Sequence, residues 1–196
     1  KLKLLKENKN TESIKDAKKL GIKFLKKFNK YIKKKESYNK VYFSRHKKTN
    51  LNKNIFLGQK LNPNINDRRA SNEFKNIKFT KCFSSPSIRC IETAKITCPN
   101  SKININNLLK EIDYGEAEGL SYGQFALKYP KIINSWKHKL DPKFPSGESS
   151  KMATNRINKF IKFYITSKKK TNYLVFTHNV ILRCLVGRIL NIKKNE

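Results

Sequence analysis

Apolar positions along the chain fall into two kinds of pattern. Between residues 12 and 33, Ile14, Ala17, Gly21, Phe24, Phe28 and Ile32 recur at helical spacing while lysines fill the other face, which predicts one basic amphipathic helix. Further on, three runs of aromatic, apolar or β-branched residues, Val41 to Ser44, Phe79 to Phe83 and Tyr173 to Phe176, end abruptly in polar residues and lead into a turn or helix. This is the signature of strands. The first run ends in Arg45-His46. The second ends in Ser84-Ser85-Pro86, where serine can cap and proline can open a helix with Arg89 in its first turn. The third ends in Thr177-His178-Asn179, ahead of a helical run from Val180 to Leu190. Strands alternating with helices predict an α/β fold, a three-layer α/β/α sandwich with a mostly parallel central sheet. In such sheets the ligand crevice lies beyond the carboxyl ends of the strands. The three polar endings are therefore expected to meet there and to gather Arg45, His46, Arg89 and His178.

Composition narrows the class. A chain of 196 residues with 37% hydrophobic and 11% aromatic content supports one well-cored domain and an appendage. The longest apolar stretch, Tyr173 to Leu190, is broken by Thr177, His178, Asn179, Arg183 and Arg188, which excludes a membrane helix there. The basic N-terminus lacks the apolar core of a secretion signal, and a cytoplasmic location is expected. Cys82, Cys90, Cys98 and Cys184 show no Cys-x-x-Cys pair and no histidine at ligand spacing, which predicts reduced thiols and neither a disulfide framework nor a zinc site. A formal charge of +31 suits nucleic acid or an anionic membrane. The lysines are scattered and the arginines few, however, and direct base readout leans on arginine. Specific nucleic-acid binding is not expected, while the positive field helps gather anionic substrates. A cluster of two arginines and two histidines without metal-binding carboxylates is suited to a compact polyanion such as phosphate.

The motifs carrying these residues resemble those of the histidine phosphatase superfamily, also called phosphoglycerate mutase-like, over roughly residues 41 to 190. Ser44-Arg45-His46 with Thr49 and Asn52 resembles the opening signature. Ser84-Ser85-Pro86 through Arg89, with Thr93-Ala94, matches the second motif. Leu109 to Leu120 is similar to the acidic motif that supplies the proton donor, and Pro145 to Ser149 and Phe176 to Arg183 complete the series. The resemblance implies a metal-independent phosphomonoester hydrolase that needs no cofactor and acts on a small phosphorylated metabolite. His46 is then the nucleophile and forms a phosphohistidine, Glu111 is the proton donor, and Arg45, Arg89 and His178 stabilise the transferring phosphoryl group, with Asn52 and Asn179 as further phosphate ligands. Glu111 is favoured as donor over Glu116 and Glu118 because it stands four residues before Gly115. The two rivals are expected to be solvated or paired with lysines, and Glu148-Ser149 to start a helix.

Two departures stand out. Lys47-Lys48 occupies the family's Gly-Glu position, where Lys47 either narrows the pocket or offers its ammonium to a distal anion of the substrate, and Asn179 replaces a glycine. The loops 53 to 66 and 121 to 145 are expected to build the specificity surface. Alternative readings are a phosphoglycerate mutase-type phosphoryl transfer and a non-catalytic anion-binding relative. Residues 1–40 are expected to form the basic helix and linker, the tail of an upstream domain, and residues 41–196 the phosphatase-like domain, truncated at its C-terminus. Oligomeric state is left open.

Overall fold

The computed structural model describes residues 39–51, 54–70, 72–166 and 170–190; the amphipathic helix expected over residues 12–33 lies outside them. Four strands, β1 (Lys40–Arg45), β2 (Lys81–Ser84), β3 (Ile103–Ile105) and β4 (Asn172–Thr177), form a sheet in the order β1-β4-β2-β3, and every pairing is parallel. Five α-helices accompany them among the described residues: α1 (Ile88–Thr97), α2 (Tyr122–Lys128), α3 (Pro130–Lys137), α4 (Ser150–Tyr164) and α5 (Asn179–Ile189).

Alternation along the central strand assigns the layers. Successive side chains of a strand point to opposite faces. Leu174 and Phe176 of β4, with Cys82 of β2, pack on Cys90, Ala94 and Cys98 of α1 and its end. Tyr173 and Val175, with Phe83, pack on Ala153, Ile157 and Phe160 of α4 and Ile181 of α5. The sheet is thus covered on both faces, giving the three-layer sandwich. Phe160 is fully buried and edge-on to Phe83, so truncation to alanine is expected to cost about 3–5 kcal/mol.

Residues 121–145, expected to be specificity loops, instead hold two short helices. Ser121 and Gln124 form a reciprocal capping box at the start of α2, and Pro130 opens α3. Phe125 and Trp136 of this pair join Phe56 and Phe144 in one aromatic cluster, which fixes the two helices to the α4/α5 side. Ser149 caps α4, accepting from Met152 N. α1 begins one step later than the serine-proline turn suggests: Ser87 is its N-terminal flanking residue and makes no side-chain cap, and Arg89 stands in the first turn.

Candidate active site

The sheet delivers its polar endings to one place because backbone pairing continues a residue past the strands. His46 N donates to Thr177 O at 3.1 Å, Ser85 N to Phe176 O at 3.0 Å and Asn106 N to Ser84 O at 2.9 Å. The His46 and His178 rings are consequently 5.2 Å apart, centroid to centroid.

His46 is buried at the end of β1. Its Nδ1 lies 2.7 Å from Lys47 O. A carbonyl only accepts, so Nδ1 carries the proton and Nε2 is left with its lone pair. Burial, opposed by this hydrogen bond and aided by Arg89 and Arg45, lowers the pKa of His46 to about 4, and the ring is neutral near pH 7. The Lys47 peptide is held in turn: its N–H donates to Thr93 Oγ1 at 2.9 Å, and that hydroxyl donates to Arg89 O at 2.6 Å.

The Lys47 side chain follows neither expected course. Its ammonium donates to Arg69 O at 2.6 Å and lies 3.8 Å from Asp67 Oδ2, so it is committed to the 67–69 turn. That turn is secured to α1 through Glu92, which accepts from Ile65 N and pairs with Arg68.

Arg89 and His178 form a buried pair. Arg89 is 1% exposed and His178 fully buried. The guanidinium donates to Leu61 O at 3.1 Å, to Gly58 O at 2.7 Å and to His178 Nδ1 at 3.3 Å, while Arg89 Nε is buried with no hydrogen-bond partner among the described residues. His178 Nδ1, accepting from Arg89, must be unprotonated, so Nε2–H donates to Ser85 Oγ at 2.8 Å and approaches Ser87 Oγ at 3.4 Å. Burial and then the Arg89 charge push His178 well below the usual histidine range. Arg45, at the exposed end of β1, acts electrostatically on both histidines and on Arg89. Asn179 is exposed as the first residue of α5. Asn52 lies outside the described residues.

The three candidate carboxylates separate sharply. Glu111 is buried, accepting from Ile112 N at 2.9 Å and Val180 N at 3.3 Å; burial raises its pKa despite these donors and Arg89. Glu116 is exposed and accepts from Tyr129 and Ser146 hydroxyls at 2.7 and 2.9 Å, which lower its pKa. Glu118 is neither solvated nor lysine-paired as expected: it accepts the N–H groups of Gly58, Gln59, Lys60 and Leu61 at 2.7–3.1 Å. The carbonyls of Gly58 and Leu61 are the ones that hold Arg89, so Glu118 fixes Arg89 through this loop. A Cβ at Gly58 would meet Glu118 Oε2 at 2.9 Å, and the clamp needs glycine there.

A second clamp holds Glu111. Arg156 donates to Leu108 O, Lys110 O and Glu111 O at 2.8–3.1 Å. It also pairs with Glu148 at 2.8 Å, whose carboxylate accepts from Asp113 N. Gln59 Nε2 adds a bond to Glu111 O at 2.8 Å. Arg156, Gln59, Thr93 and Ser85 were not expected in these roles, and Ser85 and Thr93 alone had a signal, their place in the second motif. Among the described residues no group of three His, Cys, Asp or Glu side chains is placed to hold a metal ion, and no helix is long and apolar enough to cross a membrane.

A family model described as histidine phosphatase superfamily (branch 1) matches residues 41–196. Among curated proteins, 6-phosphofructo-2-kinase/fructose-2,6-bisphosphatase of Gallus gallus is 27% identical, covering 80% of this chain and 34% of its own length. Its Caenorhabditis elegans namesake is 28% identical over 59% of this chain and 25% of its own. The chain thus spans about a fifth to a third of the length of the curated relatives it matches. Among solved structures, the alpha-ribazole phosphatase from Shigella flexneri superposes with a TM-score of 0.67 at 17% identity, covering 79% of this chain and 81% of that one. Bacillus stearothermophilus YhfR gives 0.67 at 21% identity, covering 77% and 79%.

Proposed function

The chain belongs to the histidine phosphatase superfamily, and from that premise we propose that it hydrolyses small phosphomonoesters through a phosphohistidine at His46. The observation that carries this reading is the state of His46: neutral, with Nδ1–H committed to Lys47 O and Nε2 free to attack.

In the first step the Nε2 lone pair forms a bond to phosphorus as the ester P–O bond breaks in line. The departing alkoxide takes the proton of Glu111, whose raised pKa keeps that proton available. In the second step the Glu111 carboxylate accepts a proton from water, the water oxygen bonds to phosphorus and the P–N bond breaks. Inorganic phosphate leaves, with both groups restored. Positive charge and oriented donors dominate the stabilisation of a loose phosphoryl transition state. Arg45 and Arg89, with its unpartnered Nε, serve as the cations. His178 contributes the Nε2–H that it otherwise shares with Ser85, and Asn52 and Asn179 are the further phosphate ligands.

The same reading takes residues 41–196 as the catalytic unit and residues 1–40 as its basic appendage. Four free cysteines, three of them buried, support a reducing, cytoplasmic setting.

Phosphate release from an aryl phosphate in excess chelator tests the reading. Turnover that persists in chelator and vanishes in His46→Ala supports it; turnover that survives the substitution contradicts it.

A further inference from the structure

The orientation of His46 depends on the peptide unit that joins residues 47 and 48. Its carbonyl, Lys47 O, lies 2.7 Å from His46 Nδ1 and keeps the ring proton there. A planar peptide swings only through ψ of the residue before it and φ of the residue after it, so this carbonyl stays in place only where both flanks are held. On the far side Lys48 O accepts from Asn66 N at 2.9 Å. On the near side Lys47 N donates to Thr93 Oγ1 at 2.9 Å, which fixes one end of residue 47. The Lys47 side chain supplies a second point, its ammonium donating to Arg69 O at 2.6 Å beside Asp67. With the backbone nitrogen and the side chain both tied, the Cα–C axis of residue 47 has one direction, and the bond at Lys48 O resists rotation about it. Lys47 does not adopt a positive φ, so an L-residue occupies the position without strain.

This anchor differs from an ordinary surface contact. The Lys47 side chain is 19% exposed, and its bond to Arg69 O is a charge-assisted one. The receiving turn is itself held. Arg69 N and Nε donate to Asp67 Oδ1 at 3.0 and 2.9 Å, and Ile65 N and Arg68 Nη2 donate to the Glu92 carboxylate at 2.8 and 3.0 Å. Glu92 and Thr93 are neighbours on α1, the helix that also presents Arg89. One helix therefore secures residue 47 twice, directly through Thr93 and by way of the turn through Glu92.

Resting on the phosphatase reading, we infer that the Lys47 side chain is a positioning residue for the nucleophile: tethered to the 65–69 turn, it fixes the peptide that keeps the proton on His46 Nδ1 and leaves Nε2 bare for attack on phosphorus. The ammonium is engaged within the protein, so its effect falls on the chemical step and not on affinity for phosphate.

Nitrogen-15 labelling of histidine tests this. The chain has three histidines, His46, His138 and His178, and His46→Asn assigns the His46 ring. In the parent protein near neutral pH, where His46 is uncharged, a protonated Nδ1 and a bare Nε2 are expected. In Lys47→Met, shown folded by an unchanged melting profile, the two nitrogen signals should move toward each other as the tautomers mix. Its kcat on an aryl phosphate should fall about tenfold while inhibition by inorganic phosphate stays within about twofold. Lys47→Arg, which keeps a charged donor, should retain the ring pattern and a kcat within about threefold of the parent. Lys47→Gly adds backbone freedom to the loss of the tether and should be the slowest of the three. Lys95→Met, an exposed change of equal charge on α1, should leave both readouts as in the parent, which separates the tether from the bulk field. A parent ring protonated on Nε2, an unaltered ring pattern in Lys47→Met or Lys47→Gly, a glycine variant as fast as the parent, or a loss confined to phosphate affinity overturns the inference. If the parent turns over no aryl phosphate, the phosphatase reading fails on its own, and the ring pattern still decides whether Lys47 positions His46.

Discussion

The two ends of the site are buried to a similar extent, His46 7% and Glu111 5% exposed, yet burial moves their proton affinities in opposite directions. The histidine falls to about 4 and the carboxyl rises. Desolvation disfavours whichever form is charged, so one environment favours the neutral base just past β1 and pushes the carboxyl at the start of α5 toward its protonated form. Both shifts run in the sense that phosphoryl transfer from an ester requires at the start. Cations nearby push in one sense at both: Arg45 and Arg89 lower His46, and Arg89 also lowers Glu111. They reinforce burial at the histidine and oppose it at the carboxyl, where burial prevails.

The ends also differ in how they are held. His46 is oriented by its own neighbour's carbonyl and, one step removed, by Thr93. Glu111 is oriented from a distance, by Arg156 on α4 and Gln59 of the loop that Glu118 gathers. Substitutions that split the two ends should rank accordingly. His46→Asn, which removes the proposed nucleophile, is expected to lower kcat on every phosphomonoester by at least about a thousandfold in steady-state assays. Glu111→Gln keeps the shape without the proton. It should cost about 10²–10⁴-fold on an alkyl phosphate and clearly less on a nitrophenyl phosphate, whose leaving group needs little protonation; equal losses on both would remove Glu111 from the donor role.

Glu118→Ala comes next. It leaves four backbone N–H groups of residues 58–61 without their acceptor, and displacing Arg89 through that loop should cost about 10²-fold in kcat/KM while weakening inhibition by inorganic phosphate. Unchanged phosphate inhibition in a folded variant would show that the loop does not govern Arg89.

The smallest effect is on stability. An unfolded chain protonates His46 below about 6.5 and the native one only near 4. Stability therefore falls as pH drops through that window, by up to about 1.4 kcal/mol per pH unit for each such histidine. His178, also depressed, acts in the same sense. Glu111 works oppositely, its contribution being lost as pH rises through its elevated native value. Urea midpoints measured between pH 7 and 4.5 should fall, and fall less steeply in His46→Asn.

Much of this arrangement could be read from the chain. Runs such as Tyr173 to Phe176 announce a buried strand because all its residues are apolar, and the polar residue that follows announces the strand's end. The helices over 122–137 were missed because they are only 7 and 8 residues long and their apolar residues are too few to set a period, although Ser121-x-x-Gln124 is a legible capping box. Glu118 was misjudged for a different reason. Its donors are backbone groups 57–60 residues away, and backbone donors leave no trace in side-chain pattern. Arg156 is equally silent, since three of its acceptors are carbonyls. Lys47 looked exceptional beside a glycine precedent, and only the fold shows the Asp67 carboxylate and the Arg69 carbonyl receiving its ammonium.

The most direct measurement is rapid acid-free quenching of the protein with a substrate labelled on its phosphoryl group, followed by mapping of the label. A covalent phosphoryl group, labile to acid and stable to alkali, on the peptide containing His46 and absent from His46→Asn is the predicted result. Steady turnover with no label, or a label on any other residue, would contradict the phosphohistidine route.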